Sequence, residues 1–325
     1  MLAGTTAWLV GQTSEEGLRL ILELALGVSI VALLGIARGR GRHAAAILVI
    51  SATVVTGTGC WIGANSAQLR WFGDQISHGS RSTSNVALTF DDGPNDSDTL
   101  ALAEILDEAD AKGTFFSVGK AVNRRPAISR ELVADGHLIG NHSYHHDSTH
   151  WLDPRYPELG KAERAIANQT GVCPAFFRAP HGQHTPFVAM TVHRAHMVMI
   201  GWDVSASDWK SHDPVALAHR ILSRVRPGSI VDLHDGLDGD VLADRRVLIR
   251  ALPLILRGLE KRGLQAVRLD VLLGRPGYRA GCDLPRRVHT RAAARGIAMK
   301  SIAASIKVVR ERKMGTATSS SFRTL

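Results

Sequence analysis

The 325-residue chain contains no Cys-x-x-Cys pair and only three cysteines, Cys60, Cys173 and Cys282. A cysteine-built zinc knuckle is therefore excluded. Cys173 and Cys282 can pair only if the chain is exported, and their spacing does not decide the matter. The first 273 residues also lack a basic surplus. From Gly274 to Leu325 there are twelve Lys or Arg against Asp283 and Glu311, a balance of +10. The whole chain carries +9, so the remainder stands at −1. A nucleic-acid-binding surface would need a basic face on the folded part, and none is there. Charge is missing altogether from Ala44 to Gln68. No internal repeat is evident.

A soluble core helix rarely stays uncharged over so long a run, and about 20 apolar residues span a bilayer. A second apolar run, Leu18–Ala37, precedes it, with Arg19 and Glu23 inside and Thr13-Ser14-Glu15-Glu16 as its helix start. Two transmembrane helices are thus expected within residues 1–68. Arg38, Arg40 and Arg42 lie between them. Positive residues beside membrane segments stay cytoplasmic, which places everything after the second span outside the cytoplasm. A cleaved signal peptide fits poorly, because the apolar region is doubled and too long. A lipid anchor at Cys60 is disfavoured by Gly57, where a large aliphatic residue would be expected.

After a connector over 69–84 the pattern alternates strands and helices. Strands are expected near Val86–Phe90, Gly113–Val118, His137–Gly140, Ala175–Arg178, Met197–Ile200, Ser229–Leu233 and Leu264–Leu269. Helices intervene, among them 126–135, 155–169, 214–225 and 245–262. Such βα units build a parallel sheet or barrel. About seven of them suit a distorted (β/α) barrel, an α/β fold with functional residues at the carboxyl ends of the strands. Residues 85–273 form this domain. Residues 274–325 read as a basic, largely disordered tail, available to anionic wall polymer or lipid.

Chemistry-bearing residues fall at those strand ends. The first strand ends in Asp91-Asp92-Gly93-Pro94. Two adjacent acids repel unless a positive partner sits beside them. His142 and His146 are four apart, and within a helical turn that spacing puts both imidazoles on one face for chelation. One carboxylate more completes a three-ligand centre of the catalytic zinc type. A divalent cation would then relieve the acid pair and lower the pKa of water toward ~7. Solvated histidines in a His-rich loop are the plainer alternative.

Five segments occur in order: Thr89-Phe-Asp-Asp-Gly-Pro94, His142-Ser-x-x-His146, Arg178-Ala-Pro-His-Gly182, Ser207-Asp-Trp209 and Leu233-His-Asp235. Together they resemble the motifs of the polysaccharide deacetylase family, the NodB-homology carbohydrate esterases. The resemblance covers Asn85 to about Leu273, 189 of 325 residues. It implies Asp91 as catalytic base, with Asp92, His142 and His146 holding one divalent ion, zinc first and cobalt or manganese as options. Arg178 would orient and tune Asp91, and His181, after Pro180, would offer its backbone N–H to the oxyanion. His234 would be the general acid, oriented by Asp208. Leu233 would line the acetyl-methyl pocket, and Trp209 and Pro180 the sugar groove. Three departures stand out: His181 where the family often has Tyr, Ser205 where an acid is common, and Asp232 in a usually apolar stretch. Asp232 is expected to face a helix or the rim; pointing inward beside the site, it would alter the electrostatics there.

The function so implied is removal of N-acetyl groups from a cell-wall or surface polysaccharide, with the glucosamine of peptidoglycan first. A chitooligosaccharide deacetylase, an O-acetyl esterase on the same scaffold and a catalytically silent wall-binding module are the rivals.

Overall fold

The computed structural model describes residues 41–66, 70–147 and 149–282, with isolated positions 27 and 30. Helix α1 (Gly41–Ala64) covers the charge-free run as far as Ala64. Its Ala45–Ala64 stretch is long and apolar enough to cross a membrane, the one such helix among the described residues. Val49, Ile50 and Val54 are exposed along it, while Ile62 and Ala64 at its end are buried. The other expected span, Leu18–Ala37, lies outside the described residues except for two positions.

The domain alternates nine strands with helices. Strands β1 to β9 are Gln75–Ile76, Asn85–Asp91, Thr114–Ser117, Leu138–Asn141, Phe176–Phe177, Val198–Ile200, Val204–Ser205, Ile230–His234 and Gln265–Val267. Helices α2 to α9 are Asp98–Glu108, Gly119–Arg124, Pro126–Ala134, Pro157–Thr170, Pro186–Arg194, Pro214–Leu222, Arg246–Glu260 and Leu269–Leu273. All ladders are parallel, in the order β1-β6-β5-β4-β3-β2-β8-β7, with β9 also on β2. Among the described residues no ladder joins the two ends, so the barrel is open between β1 and β7. The two strands beyond the expected seven are two-residue pieces: β1, inside the connector, and β7. Pieces this short leave no period for a sequence pattern to show.

Side-chain alternation sorts the barrel into two faces. Val86, Leu88 and Phe90 of β2 and Val231 and Leu233 of β8 pack outward. They meet Leu102 and Leu106 of α2 and Leu248, Leu252 and Ile255 of α8 in one core cluster. Each fully buried side chain of this kind contributes about 1.5–3 kcal/mol. The opposite face carries Thr89 and Asp91 on β2, in register with Asp232 and His234 on β8.

The domain does not end at Leu273, as the loss of periodicity there implied. Cys173 and Cys282 form a disulfide, Cα–Cα 5.7 Å. Ala175 N donates to Gly277 O at 3.0 Å. Tyr278 Oη accepts from Ile139 N at 3.1 Å, and Arg279 Nε donates to Pro174 O at 2.9 Å. Hydrogen bonds to backbone groups and a disulfide hold this segment, and neither leaves an apolar repeat in the sequence. The remaining tail lies outside the described residues.

Candidate active site

Strand β2 delivers Asp91 and Asp92 to the rim, and the chain turns at once. Asp92 has φ 78°, an uncommon conformation for a residue with a Cβ. Asp235, just after β8, fastens this turn. Its Oδ1 accepts from Gly93 N at 3.2 Å, and its Oδ2 from Thr99 Oγ1 at 2.5 Å. A Cβ on Gly93 would lie 1.9 Å from Asp235 Oδ2, so only glycine fits. Burial pushes the Asp235 carboxyl up to about 7, against hydrogen bonds that favour its charged form.

Asp92 points at two imidazoles. Its Oδ1 is 3.3 Å from His142 Nε2 and 3.0 Å from His146 Nε2. The histidines do not lie on a helix, as their spacing suggested. They sit in the loop after β4, where Ser143 and His146 adopt left-handed backbone, φ 64° and 58°. The loop achieves the same convergence, with ring centroids 4.9 Å apart. Each ring is set from behind: His142 Nδ1 donates to Arg178 O at 2.9 Å, and His146 Nδ1 lies 2.9 Å from Asp238 Oδ1. Such outer partners orient the other nitrogen toward a metal. Burial disfavours the Asp92 carboxylate, yet the charge of His146 and the close approach of both imidazoles hold it well below the usual range.

A cation fits this cradle. Asp92 Oδ1 is buried without a hydrogen-bond partner, and Asp92, His142 and His146 are buried ligand types within mutual reach. An unmet buried carboxylate oxygen facing two Nε2 atoms is the donor set a divalent ion completes.

Asp91 lies between that cradle and Arg178: its Oδ2 is 3.7 Å from His142 Nε2, and its Oδ1 meets Arg178, which is fully buried. Arg178 Nη1 donates to Asp91 Oδ1 at 2.8 Å and to Thr89 Oγ1 at 2.7 Å. Its Nη2 donates to Gly201 O at 3.1 Å, and its guanidinium lies 4.2 Å above the Phe116 ring. On β8, His234 Nδ1 is 2.8 Å from Asp208 Oδ1. Asp208 Oδ2 in turn accepts from Arg245 Nη2 at 2.5 Å. Burial favours neutral His234, but the negative charges of Asp208 and Asp232 outweigh it and push the imidazole up to about 10. Burial likewise disfavours charged Asp208, and His234 and Arg245 outweigh it, so that carboxyl is lowered.

The other expected residues divide. Trp209 sits edge-on to His234 at 4.6 Å, beside the site. His181 is 4.6 Å from the His146 ring, with φ 55°, and Pro180 is buried next to it. The surrounding protein and the charge of His146 lower the His181 imidazole, although the residue is exposed at the rim. Leu233 is not brought to the site. It alternates away from His234 into the helix-facing core, opposite Phe90 in register. Asp232, expected at a helix or the rim, takes the inward place instead. Thr89, Asp235, Asp238 and Arg245 were not singled out. The first two lie inside the quoted motifs, but nothing in the sequence marks Asp238 or Arg245.

A parallel βα barrel with a three-ligand cation cradle between a carboxylate and a charged histidine defines a metal-dependent hydrolase. Comparison with known proteins specifies the class further. The polysaccharide deacetylase family model matches residues 78–200. The chain is 34% identical over 196 residues to a chitooligosaccharide deacetylase of Azorhizobium caulinodans, covering 57% of this chain and 92% of that one. Among solved structures it is similar to the Bc1960 peptidoglycan N-acetylglucosamine deacetylase, with TM-score 0.58, 26% identity, and coverage of 63% of this chain and 95% of that one. It is also similar to BA3943, a CE4 family pseudoenzyme from Bacillus anthracis, with TM-score 0.56, 26% identity, and coverage of 63% and 71%. The chain belongs to the polysaccharide deacetylase family, whose members are metalloenzymes.

Proposed function

We propose that the chain hydrolyses the N-acetyl groups of a cell-envelope polysaccharide, with peptidoglycan N-acetylglucosamine as first substrate and chitin-type oligosaccharide as second. One observation carries the reading: Asp91 and His234 are register partners on adjacent strands, each fixed by its own buried partner, Arg178 or Asp208. A base and an acid so placed serve opposite ends of one scissile bond.

A divalent ion held by Asp92, His142 and His146, zinc being the best match to two imidazoles and a carboxylate, would polarise the acetamide carbonyl and acidify the attacking water. Asp91 takes the proton from that water, held toward it by Arg178. The His181 backbone N–H is offered to the developing oxyanion. His234 gives its Nε2 proton to the departing amine, while Asp208 keeps Nδ1–H fixed and stabilises the imidazolium. An amide nitrogen needs this proton to leave, whereas an ester oxygen leaves far more easily. A strongly charged His234 thus favours the amide over the O-acetyl ester. Family membership alone does not guarantee turnover, as the BA3943 pseudoenzyme illustrates. Here the base, acid and ligand positions are all filled.

Acetate release from defined peptidoglycan and chitin oligomers, with and without chelator, tests this function. Asp91→Asn should reduce turnover by ~100-fold or more, in the range of one lost acid–base group, while metal remains bound. Full activity in that variant would remove Asp91 from the role.

We also place the domain outside the cytoplasm, anchored by residues 1–68. Support comes from the exposed apolar α1, the arginines before it, and its end docked on the domain. Ala64 O accepts from His184 N at 2.8 Å, and Asn65 Oδ1 from Gln183 Nε2 at 2.7 Å. That loop also carries His181, so the catalytic rim would sit near the membrane surface. The basic tail would touch anionic wall polymer or lipid. Release of the intact chain by alkaline carbonate would refute the anchor, and unchanged salt extraction after deletion of residues 284–325 would refute the tail contact.

A further inference from the structure

Strand β8 carries one buried charged residue that the reaction above leaves idle. Asp232 points to the same face as His234, two residues deeper, about 6.8 Å down the strand. It is 2% exposed. Its Oδ1 lies 3.5 Å from Arg178 Nη1, the nitrogen that also donates to Asp91. Ligating atoms of Asp91, Asp232 and His234 fall within 4.8 Å of one another. A buried carboxyl is unfavourable unless charged or hydrogen-bonding groups compensate it.

The charged groups facing Asp232 come from every wall of this pocket: Asp91 on β2, Arg178 after β5, Asp208 after β7 and His234 on β8 itself. Arg245 adds its charge through Asp208. The carboxylates Asp91, Asp208 and Asp232 supply three negative charges. Arg178, Arg245 and protonated His234 supply three positive ones. The group is balanced only when His234 holds its proton and Asp232 has lost its own. With Asp232 neutral, the surplus positive charge is relieved where a proton can leave, at His234. Burial pushes Asp232 up to about 7, so both of its forms are accessible near neutral pH.

We propose that Asp232 is a positioning residue that, by sharing Arg178 with Asp91 and facing His234, supplies the negative charge that keeps the general acid protonated. It acts through Arg178 and His234. Asp232 has this role in catalysis only if the deacetylase function proposed above holds.

The test is the pH profile of acetate release by the intact, metal-loaded chain. Asp232→Asn and Asp232→Leu should each move the alkaline limb of kcat/KM down by roughly one to two pH units, the effect of deleting one unit charge at this range. Asp232→Glu should keep the limb in place. A merely structural residue would lower stability and rate at every pH without moving the limb. A limb unmoved in a folded neutral variant overturns the proposal. The unmodified chain gives an independent reading should both neutral variants fail to fold. The His234 imidazole nitrogen signal should show a step near pH 7, as Asp232 ionises, before its own titration at higher pH. Its absence also overturns the proposal. A chain that shows the step but releases no acetate would sink the deacetylase reading and leave the charge coupling standing.

Discussion

Replacing Asp208 with Asn tests the acid end of the site most directly. In the native chain His234 is raised from 6.5 to about 10, about 3.5 units, or about 5 kcal/mol of preference for the charged ring. Burial works against that preference, and the Asp208 charge and hydrogen bond are the leading contributions in its favour. An amide of the same shape removes the charge and leaves the burial. The imidazole should then fall to about 7 or below, leaving roughly 1% of the acid form at pH 9. Acetate release from an N-acetylglucosamine tetramer, followed between pH 6 and 10, should show the alkaline limb moving toward neutrality and a loss of about 100-fold at pH 9. Stability should change as well. A raised histidine contributes stability fully present below 6.5 and lost as pH rises through the folded value. The native chain should therefore become less stable between pH 6.5 and 10, and the Asn variant should not show that loss. The substitution also strands Arg245, which is 5% exposed; breaking a buried pair costs about 3–5 kcal/mol. The double variant Asp208→Asn/Arg245→Met should recover stability without recovering the limb. An Asn variant with the native alkaline limb would refute the assignment of His234 as the acid.

Other outcomes follow from the cradle and the closing segment. His142→Ala should lower metal affinity by more than the 10–100-fold typical of outer-shell changes, read as metal retained on dialysis. Asp238→Asn, acting on His146 from behind, should fall within that 10–100-fold range, and equal losses in the two variants would contradict the division of roles. Chelation should abolish acetate release, with zinc restoring it; activity unchanged by exhaustive chelation would remove the metal from the reaction. Cys173→Ser should destabilise the fold by up to about 4–5 kcal/mol on the chain-entropy view for a loop of this size, read as a lower Tm. An unchanged Tm on reduction would show that hydrogen bonds around Gly277 and Tyr278 hold the segment unaided.

Much of the site was legible in the sequence because its signals are local. A buried run such as Val86–Phe90, closed by Asp91-Asp92-Gly93-Pro94, identifies a strand end and the acids it presents. The histidines, Arg178 and His234 follow the same logic, each after a short apolar segment, whereas Asp208 was legible only through the resemblance of Ser207-Asp-Trp209 to a family motif. The apolar helix at residues 45–64 announces itself by the absence of charge. What those signals lack is direction. Leu233 and Asp232 are neighbours, and only the register of β8 against β2 shows that the aspartate faces the site and the leucine faces α8. His142 and His146 meet through left-handed loop residues, not the helical turn their spacing suggested. Asp238 and Arg245 reach the site from the loop after β8, and the chain beyond Leu273 is tied back by Cys282. The sequence by itself determined which groups stand at the strand ends, because apolar period and turn chemistry act over a few residues. Only the tertiary structure decided which of them face one another, because alternation, register and loop closure are settled by packing between segments more than a hundred residues apart.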